Sequence, residues 1–368
     1  HRPSGRGASS MTYGIGAAGT GGHVYPALAV AEALVAGGVV RSDITFFGGD
    51  RLEKEVFPAE GFPFVEVELR GLRRSLTLRN VTLPWAVLSA RRRIEAECSE
   101  REVKVALGTG SYVTIPLGWA AMRIGVPFFV QEQNADPGLA NTVMSRRAEA
   151  SFVSFSSTRL PRSVHVGNPV RAALADFSRS TLRKPSLDRY GLEDGPFTVG
   201  IVGGSLGALV LNESVVDLAT GWKGPSMQLL HLCGPAHVKA MEEASAGARL
   251  PWRVLGFEPR MERFFAACDV VVARGGGMVA EILATATPAI LVPGGFGSGG
   301  HQDSNAHEAH RAGAAIVVQE DELERLPGML ETLMSEPDRL VSMQEAAARL
   351  AKPHAATRIA AILMGRHG

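Results

Sequence analysis

Gly19-Thr20-Gly21-Gly22-His23 lies between an apolar run at 11–16 and an amphipathic stretch at 24–35. The apolar run reads as a buried strand. The stretch reads as a helix with Pro26 in its first turn, where proline is tolerated. Glycines at a strand-to-helix turn let the backbone approach a ligand closely. The N–H groups and the positive dipole end of the helix then favour an anion. His23 stands at that helix start, where the dipole disfavours imidazolium, so a neutral His23 able to accept a proton is expected. An anion cradle beside a neutral base points to a transferase. The same segment, Gly14-Ile15-Gly16-Ala17-Ala18-Gly19, also matches the dinucleotide fingerprint G-x-G-x-x-G. That reading asks for an acidic residue about 20 positions on, at the end of the second strand. Asp50 lies well beyond it, which disfavours a nicotinamide or flavin site.

Outward from this loop, short apolar runs alternate with helical patterns. Strands are expected at 12–16, 44–48, 64–68, 103–107, 128–131, 151–154 and 165–166. A second series is expected at 198–202, 228–233, 252–255, 270–272, 289–292 and 315–317. Helices are expected between them, for example at 113–124, 208–218, 278–285 and 302–312. Repeated βα units imply parallel sheets covered on both faces. The expected fold is α/β, with two Rossmann-like, doubly wound parallel-sheet domains facing a cleft at their carboxyl strand ends. The first domain is expected over 11–175 and the second over 196–352. The segment 176–195 is charged, carries Pro185, is followed by Pro196 and lacks a strand pattern, so it reads as the linker. A C-terminal helix within 353–368 is expected to pack back on the first domain.

Further motifs fall at equivalent βα junctions. Gly108-Thr109-Gly110-Ser111-Tyr112 and Gly203-Gly204-Ser205-Leu206-Gly207-Ala208 are two more glycine turns, and three such loops favour an anion site over ordinary tight turns. None carries the Walker A pattern. Gln131-Glu132-Gln133-Asn134 closes an apolar strand, a poor choice for packing and a good one for recognising hydroxyls. Arg171, in Gly167-Asn168-Pro169-Val170-Arg171, can donate to a phosphate or lie on the surface. Arg274-Gly275-Gly276-Gly277-Met278-Val279-Ala280-Glu281 opens another helix, where Glu281 can accept both hydroxyls of a ribose or be a plain first-turn glutamate. His301, His307 and His310 do not fit the metalloprotease spacings, so hydroxyl recognition by His301 and Gln302 is preferred to a metal.

The chain has 368 residues, 45% hydrophobic and 20% charged, which suits two ordinary domains. A net charge of +1 excludes a general nucleic-acid-binding surface. Cys98, Cys233 and Cys268 stand isolated and read as buried thiols in a reducing cytoplasm. No spanning helix or signal peptide is expected, and residues 1–10 read as a disordered or extraneous leader. The stretch 72–94 joins Arg73, Arg74, Arg79, Arg91, Arg92 and Arg93 to apolar residues including Trp85. It suits either an anionic membrane face or a helix with a solvated basic side.

Together these residues resemble the MurG family of peptidoglycan glycosyltransferases, from residue 12 to about residue 318. The motifs that carry the likeness are 19–27, Glu132-Gln133-Asn134 with Pro137-Gly138-Leu139, 167–171, 203–208, and His301-Gln302 with Asn305-Ala306. The resemblance implies the GT-B fold and an inverting enzyme without a cofactor or an essential metal. It would transfer N-acetylglucosamine from UDP-N-acetylglucosamine to the muramoyl 4-hydroxyl of a polyprenyl-pyrophosphate-linked muramoyl-pentapeptide, turning lipid I into lipid II. It also implies peripheral attachment to the cytoplasmic side of the cell membrane. It leaves the oligomeric state open.

Residue by residue, the family implies an acceptor side of Thr20, Gly21, Gly22 and His23, with Gly108, Gly110 and Tyr112. His23, Glu132 and Asn134 form the expected catalytic group. The donor side comprises Asn134, Arg171, Ser205, Phe257, Glu258, Met278, Val279, Ala280, Glu281, His301 and Gln302. The chain departs from the family at Gln131, where histidine is usual, at Thr109 and Ser111, at Asp303, and in a shorter loop between Arg274 and Glu281. A related GT-B enzyme with another lipid or natural-product acceptor is the alternative reading. A nucleotide-sugar-binding or epimerising protein is a third.

Overall fold

The computed structural model describes residues 11–68, 83–294 and 300–365. It divides into two compact units, 1–172 with 354–368, and 173–353. In the first unit the order is β1 (Tyr13–Gly16), α1 (Gly21–Ala36), β2 (Ile44–Gly48), α2 (Leu52–Ala59), β3 (Phe64–Glu66), α3 (Leu83–Glu100), β4 (Val105–Gly108), α4 (Thr114–Ile124), β5 (Phe128–Glu132), α5 (Leu139–Met144), β6 (Ser151–Val153) and β7 (Ser163–His165). The seven strands pair in parallel in the order β3-β2-β1-β4-β5-β6-β7.

The second unit begins with α6 (Ala172–Ala175) and α7 (Arg179–Tyr190), then β8 (Phe197–Val202), α8 (Leu209–Gly221), β9 (Met227–Leu232), α9 (Val238–Ser245), β10 (Trp252–Leu255), α10 (Met261–Ala267) and β11 (Val270–Ala273). It continues with α11 (Val279–Ala284), β12 (Ala289–Leu291), α12 (His301–Arg311), β13 (Ala315–Val317), α13 (Leu326–Ser335) and α14 (Pro337–Leu350). Its six parallel strands run β10-β9-β8-β11-β12-β13. In each sheet the chain order reverses beside the first strand, at β1/β4 and at β8/β11. That crevice at the carboxyl strand ends is where an open α/β sheet binds ligands. These are two parallel-sheet Rossmann-like domains, the GT-B fold.

The apolar runs form strands because both sheet faces are covered. All four residues of β11 are fully buried, which explains its unbroken Val-Val-Val-Ala. Ile15 of β1 and Val24, Leu28 and Leu34 of α1 share one core with Ile359, Ala360 and Leu363 of the C-terminal helix α15 (Ala355–Leu363). Burying side chains of this size contributes about 1.5–3 kcal/mol each.

Two local readings change. Helix α1 starts at Gly21, three residues earlier than expected, so Pro26 lies in its second turn and cannot donate to the Gly22 carbonyl. Within the segment read as a linker, residues 179–190 form α7 despite Pro185. Tertiary bonds hold this helix: Arg179 donates to the Cys268 carbonyl, and Arg183 bonds Asp269 at 3.1 Å. Asp269 in turn accepts the Thr198 N–H at the start of β8 at 2.8 Å.

Candidate active site

In the first unit, the loops after β1 and β4 meet at the reversal point. Thr109, fully buried, donates its N–H to the Gly16 carbonyl at 2.9 Å. Its own carbonyl oxygen lies 2.8 Å from His23 Nδ1. Gly110, with φ +89°, makes this approach possible: a Cβ there would lie 2.9 Å from Asn141 Nδ2 and 3.4 Å from His23 Cε1. The amide of Gln133, beyond the end of β5, reaches His23 Nδ1 at 2.8 Å. Three βα junctions thus converge on one half-buried imidazole. The glycine loop itself is held from below by Glu53, which is fully buried on α2 and accepts the N–H groups of Gly19 and Gly49. Thr20 stands exposed at the N-cap of α1 and does not cap it with its side chain. Tyr112 is half-buried with its hydroxyl against Gly49, where an added Cβ would lie 2.0 Å away. Burial, with Glu53 and Asp50 nearby, pushes that phenol up and keeps it neutral.

Glu132 is buried to 1% exposure, and both its oxygens accept N–H bonds. One takes the backbone and side-chain N–H groups of Asn134, at 2.9 and 3.1 Å. The other takes Gly138 N–H and Asn141 Nδ2, each at 2.9 Å. Gln131, the departure from the family histidine, is fully buried and donates to Asn168 Oδ1 at 3.1 Å. It ties the end of β5 to the segment 167–171. Arg171, in that segment, is gripped by two carboxylates of its own unit, Glu32 at 2.8 Å and Glu60 at 3.3 Å.

In the second unit, the loop between β8 and α8 carries two positive-φ glycines, Gly204 (+97°) and Gly207 (+81°). A Cβ on Gly207 would fall 2.0 Å from the Cys233 carbonyl oxygen, so only glycine lets this loop pack on the end of β9. Ser205 is half-buried on the loop, and no side chain caps α8. Asn212 of α8 ties β9 down, donating to the Cys233 carbonyl at 3.0 Å while its Oδ1 lies 3.0 Å from His231 Nε2. Burial pushes the His231 imidazole down to about 3, so it is neutral and donates from Nε2. Phe257 is 45% exposed, whereas Glu258 is buried, accepting from Tyr190 Oη and Arg260 N–H at 2.9 Å each.

Gly275 lets α12 approach the loop after β11, since a Cβ there would lie 2.2 Å from the Gln302 carbonyl oxygen. Gln302 Oε1 accepts the Gly294 N–H at 2.8 Å. Met278 is the N-cap of α11, and Glu281 sits half-buried at its third position. Val279 is a core residue, so beyond packing it offers a ligand only backbone, and Ala280 is half-buried beside it. His301 opens α12, and its Nδ1 is buried with no hydrogen-bond partner among the described residues. His307 and His310 instead bond the carbonyls of Asp303 and Ala315 through Nδ1. Among the described residues no group of three or more His, Cys, Asp or Glu is arranged to hold a metal ion. The cysteines Cys98, Cys233 and Cys268 are all buried and free.

Sequence reasoning missed Glu53, and it read Thr109 and Gln133 only as members of a glycine turn and a polar strand end, not as partners of His23. For Glu53 the only local signal is a glutamate one turn after a glycine pair. For the other two, the partner is 86 and 110 positions away along the chain.

Two sheets of this topology, each with glycine turns at its reversal point, suit a nucleotide-sugar ligand, and the family matches make the chain a glycosyltransferase. The glycosyltransferase family 28 N-terminal domain matches residues 13–153, and the family 28 C-terminal domain matches 198–359. The UDP-N-acetylglucosamine–N-acetylmuramyl-(pentapeptide) pyrophosphoryl-undecaprenol N-acetylglucosamine transferase of Acidithiobacillus ferrooxidans is 36% identical over 356 residues, 94% of this chain and 95% of that protein. The protein of the same name from Halalkalibacterium halodurans is 33% identical over 355 residues, covering 94% and 96%. Among solved structures, Acinetobacter baumannii MurG superposes with a TM-score of 0.74 at 26% identity, covering 97% of this chain and 100% of that one. The chain belongs to this family of peptidoglycan N-acetylglucosamine transferases, the MurG enzymes.

Proposed function

We infer that the protein transfers N-acetylglucosamine from UDP-N-acetylglucosamine to the 4-hydroxyl of the muramoyl residue in an undecaprenyl-pyrophosphate-linked muramoyl-pentapeptide, lipid I to lipid II. The observation that carries this reading, beside family membership, is His23: a half-buried imidazole at a helix start, held by the Thr109 carbonyl at 2.8 Å. In the reaction the acceptor oxygen bonds to C1 of the sugar as the bond from C1 to the UDP oxygen breaks, with inversion at C1. His23 takes the hydroxyl proton as attack proceeds. Charge builds on the departing diphosphate.

We assign that charge to the second unit's backbone, at the loop bearing Ser205 and at the start of α11 near Met278, with no essential metal. Glu281 reads as the ribose ligand, the backbone of Phe257 and Glu258 as the uracil reader, and His301 and Gln302 as contacts to sugar hydroxyls. Thr20, Gly21, Gly22, Gly108, Gly110 and Tyr112 serve the acceptor. Glu132 is a positioning residue, because its four N–H partners occupy both oxygens and aim Asn134 at the donor sugar. Arg171 is an anchor of its segment, since Glu32 and Glu60 already neutralise it.

The reading with a different acceptor is not favoured. It is motivated by Gln131 and by the shorter loop between Arg274 and Glu281, whereas the relatives that match over about 95% of the chain carry the peptidoglycan transferase name, and the Gln131 side chain donates to Asn168 inside the protein. We further infer peripheral attachment to the cytoplasmic membrane face. Trp85 on α3 is 73% exposed and Trp119 on α4, which packs beside it, is 41% exposed, with Arg92 and Arg93 exposed on α3. Aromatic rings flanked by guanidinium groups suit an anionic lipid surface. The rest of the basic stretch, up to residue 82, lies outside the described residues. No described helix is long and apolar enough to cross a membrane. Incubating the protein with UDP-N-acetylglucosamine and a lipid I analogue, with an acceptor-free control, tests the function. Disaccharide product in the first and no manno epimer in the second is the expected pair.

A further inference from the structure

We propose that Gln133 and the Thr109 carbonyl together hold His23 as the Nδ1–H tautomer, so that Nε2 carries the lone pair that receives the acceptor proton. This rests on the reading of His23 as the base. The Thr109 oxygen, 2.8 Å from Nδ1, can only accept, so it favours a hydrogen on Nδ1. The Gln133 amide also lies 2.8 Å from Nδ1. With its nitrogen toward the ring, the amide would need a lone pair on Nδ1, and that lone pair would face the Thr109 oxygen. The same orientation leaves Gln133 Oε1 buried with no partner. A half-turn of the amide removes both faults: Oε1 accepts from Nδ1–H, and the ring donates to two oxygens. Gln133 is only 5% exposed. A Cβ on Gly110 would lie 3.4 Å from both the Gln133 amide and His23 Cε1. Gly110 therefore leaves the space in which amide and ring meet.

The arrangement does with two neutral acceptors what a carboxylate does behind a catalytic histidine: it fixes the tautomer and the ring plane. Glu132, the carboxylate next to Gln133 in the chain, is spent on Asn134, Gly138 and Asn141. Gln133 and Thr109 are positioning residues, acting through His23.

Two-bond 1H–15N spectra of the histidine-labelled protein test this, with His23→Ala assigning the resonances. The expected wild-type pattern is the Nδ1–H tautomer. Gln133→Glu, which can only accept, keeps that pattern. Gln133→Met gives mixed tautomers and lowers kcat about tenfold, within the range of a general-base contribution, with KM within about twofold. A wild-type Nε2–H pattern overturns the proposal, as does a Gln133→Met protein unchanged in both tautomer and kcat. If Gln133→Met does not fold, the wild-type and Gln133→Glu spectra decide alone. Turnover of His23→Ala, measured alongside, tests the base itself, so the two failures are distinct.

Discussion

Glu53 accepts the backbone N–H of Gly19 at 3.0 Å through one oxygen, and that of Gly49 at 2.9 Å through the other. A single buried carboxylate thus binds the loops after β1 and β2 and presents the glycine turn that precedes His23. Replacing one oxygen by an amide nitrogen turns a donor toward an N–H group, which is then left without an acceptor. Glu53→Gln is expected to destabilise the first unit by about 1–3 kcal/mol. It should also raise KM for the acceptor while leaving KM for UDP-N-acetylglucosamine unchanged. Calorimetry with two-substrate kinetics checks both.

Glu132 gives a sharper contrast between two replacements. Glu132→Gln keeps one oxygen for its donors, whereas Glu132→Ala strands N–H groups of Asn134, Gly138 and Asn141, at about 1–3 kcal/mol for each buried group left unpaired. The alanine protein should lose stability and donor affinity together. The glutamine protein should keep a large part of its turnover and its pH profile. If both replacements abolished turnover equally with folding intact, Glu132 would be a base or acid in its own right.

The second unit carries an acid-sensitive element in His231. Burial lowers its value from 6.5 to about 3, so the unfolded chain binds a proton below 6.5 that the folded chain refuses. Stability is therefore full above 6.5 and falls as the pH drops toward 3. Thermal melts between pH 7.5 and 4.5 should show a fall in the second unit's transition, and His231→Gln should flatten it. An equal acid response in that variant would assign the sensitivity to other groups.

The aromatic pair on α3 and α4 predicts a salt-dependent membrane affinity. Trp85→Glu with Trp119→Glu should release the protein from vesicles of anionic phospholipid without altering the melt. Neutral vesicles should bind the wild type less than anionic ones. Retention of the double variant on anionic vesicles would move the membrane face elsewhere.

Much of this molecule is legible in its sequence. Strands covered on both faces read as unbroken apolar runs, so β8 and β11 are plain, and glycine turns mark where the chain leaves them. Helix α7 is not legible, because a charged stretch with Pro185 has little intrinsic preference for helix and is held by Arg179 and Arg183 against residues 268 and 269. The family motifs identify His23, but the bonds that tune it come from Thr109 and Gln133, brought together only by the parallel order of β1, β4 and β5. Arg171 reads locally as a phosphate ligand, and its pairing with Glu32 and Glu60 likewise depends on the fold.

The central claim is that His23 takes the acceptor proton. Its most direct test is the turnover of His23→Ala with UDP-N-acetylglucosamine and a lipid I analogue, with the melt and circular dichroism of the wild type retained. A loss of about 10²–10⁴ in kcat is predicted, the usual contribution of a positioned base. Near-normal turnover in that folded variant would contradict the account.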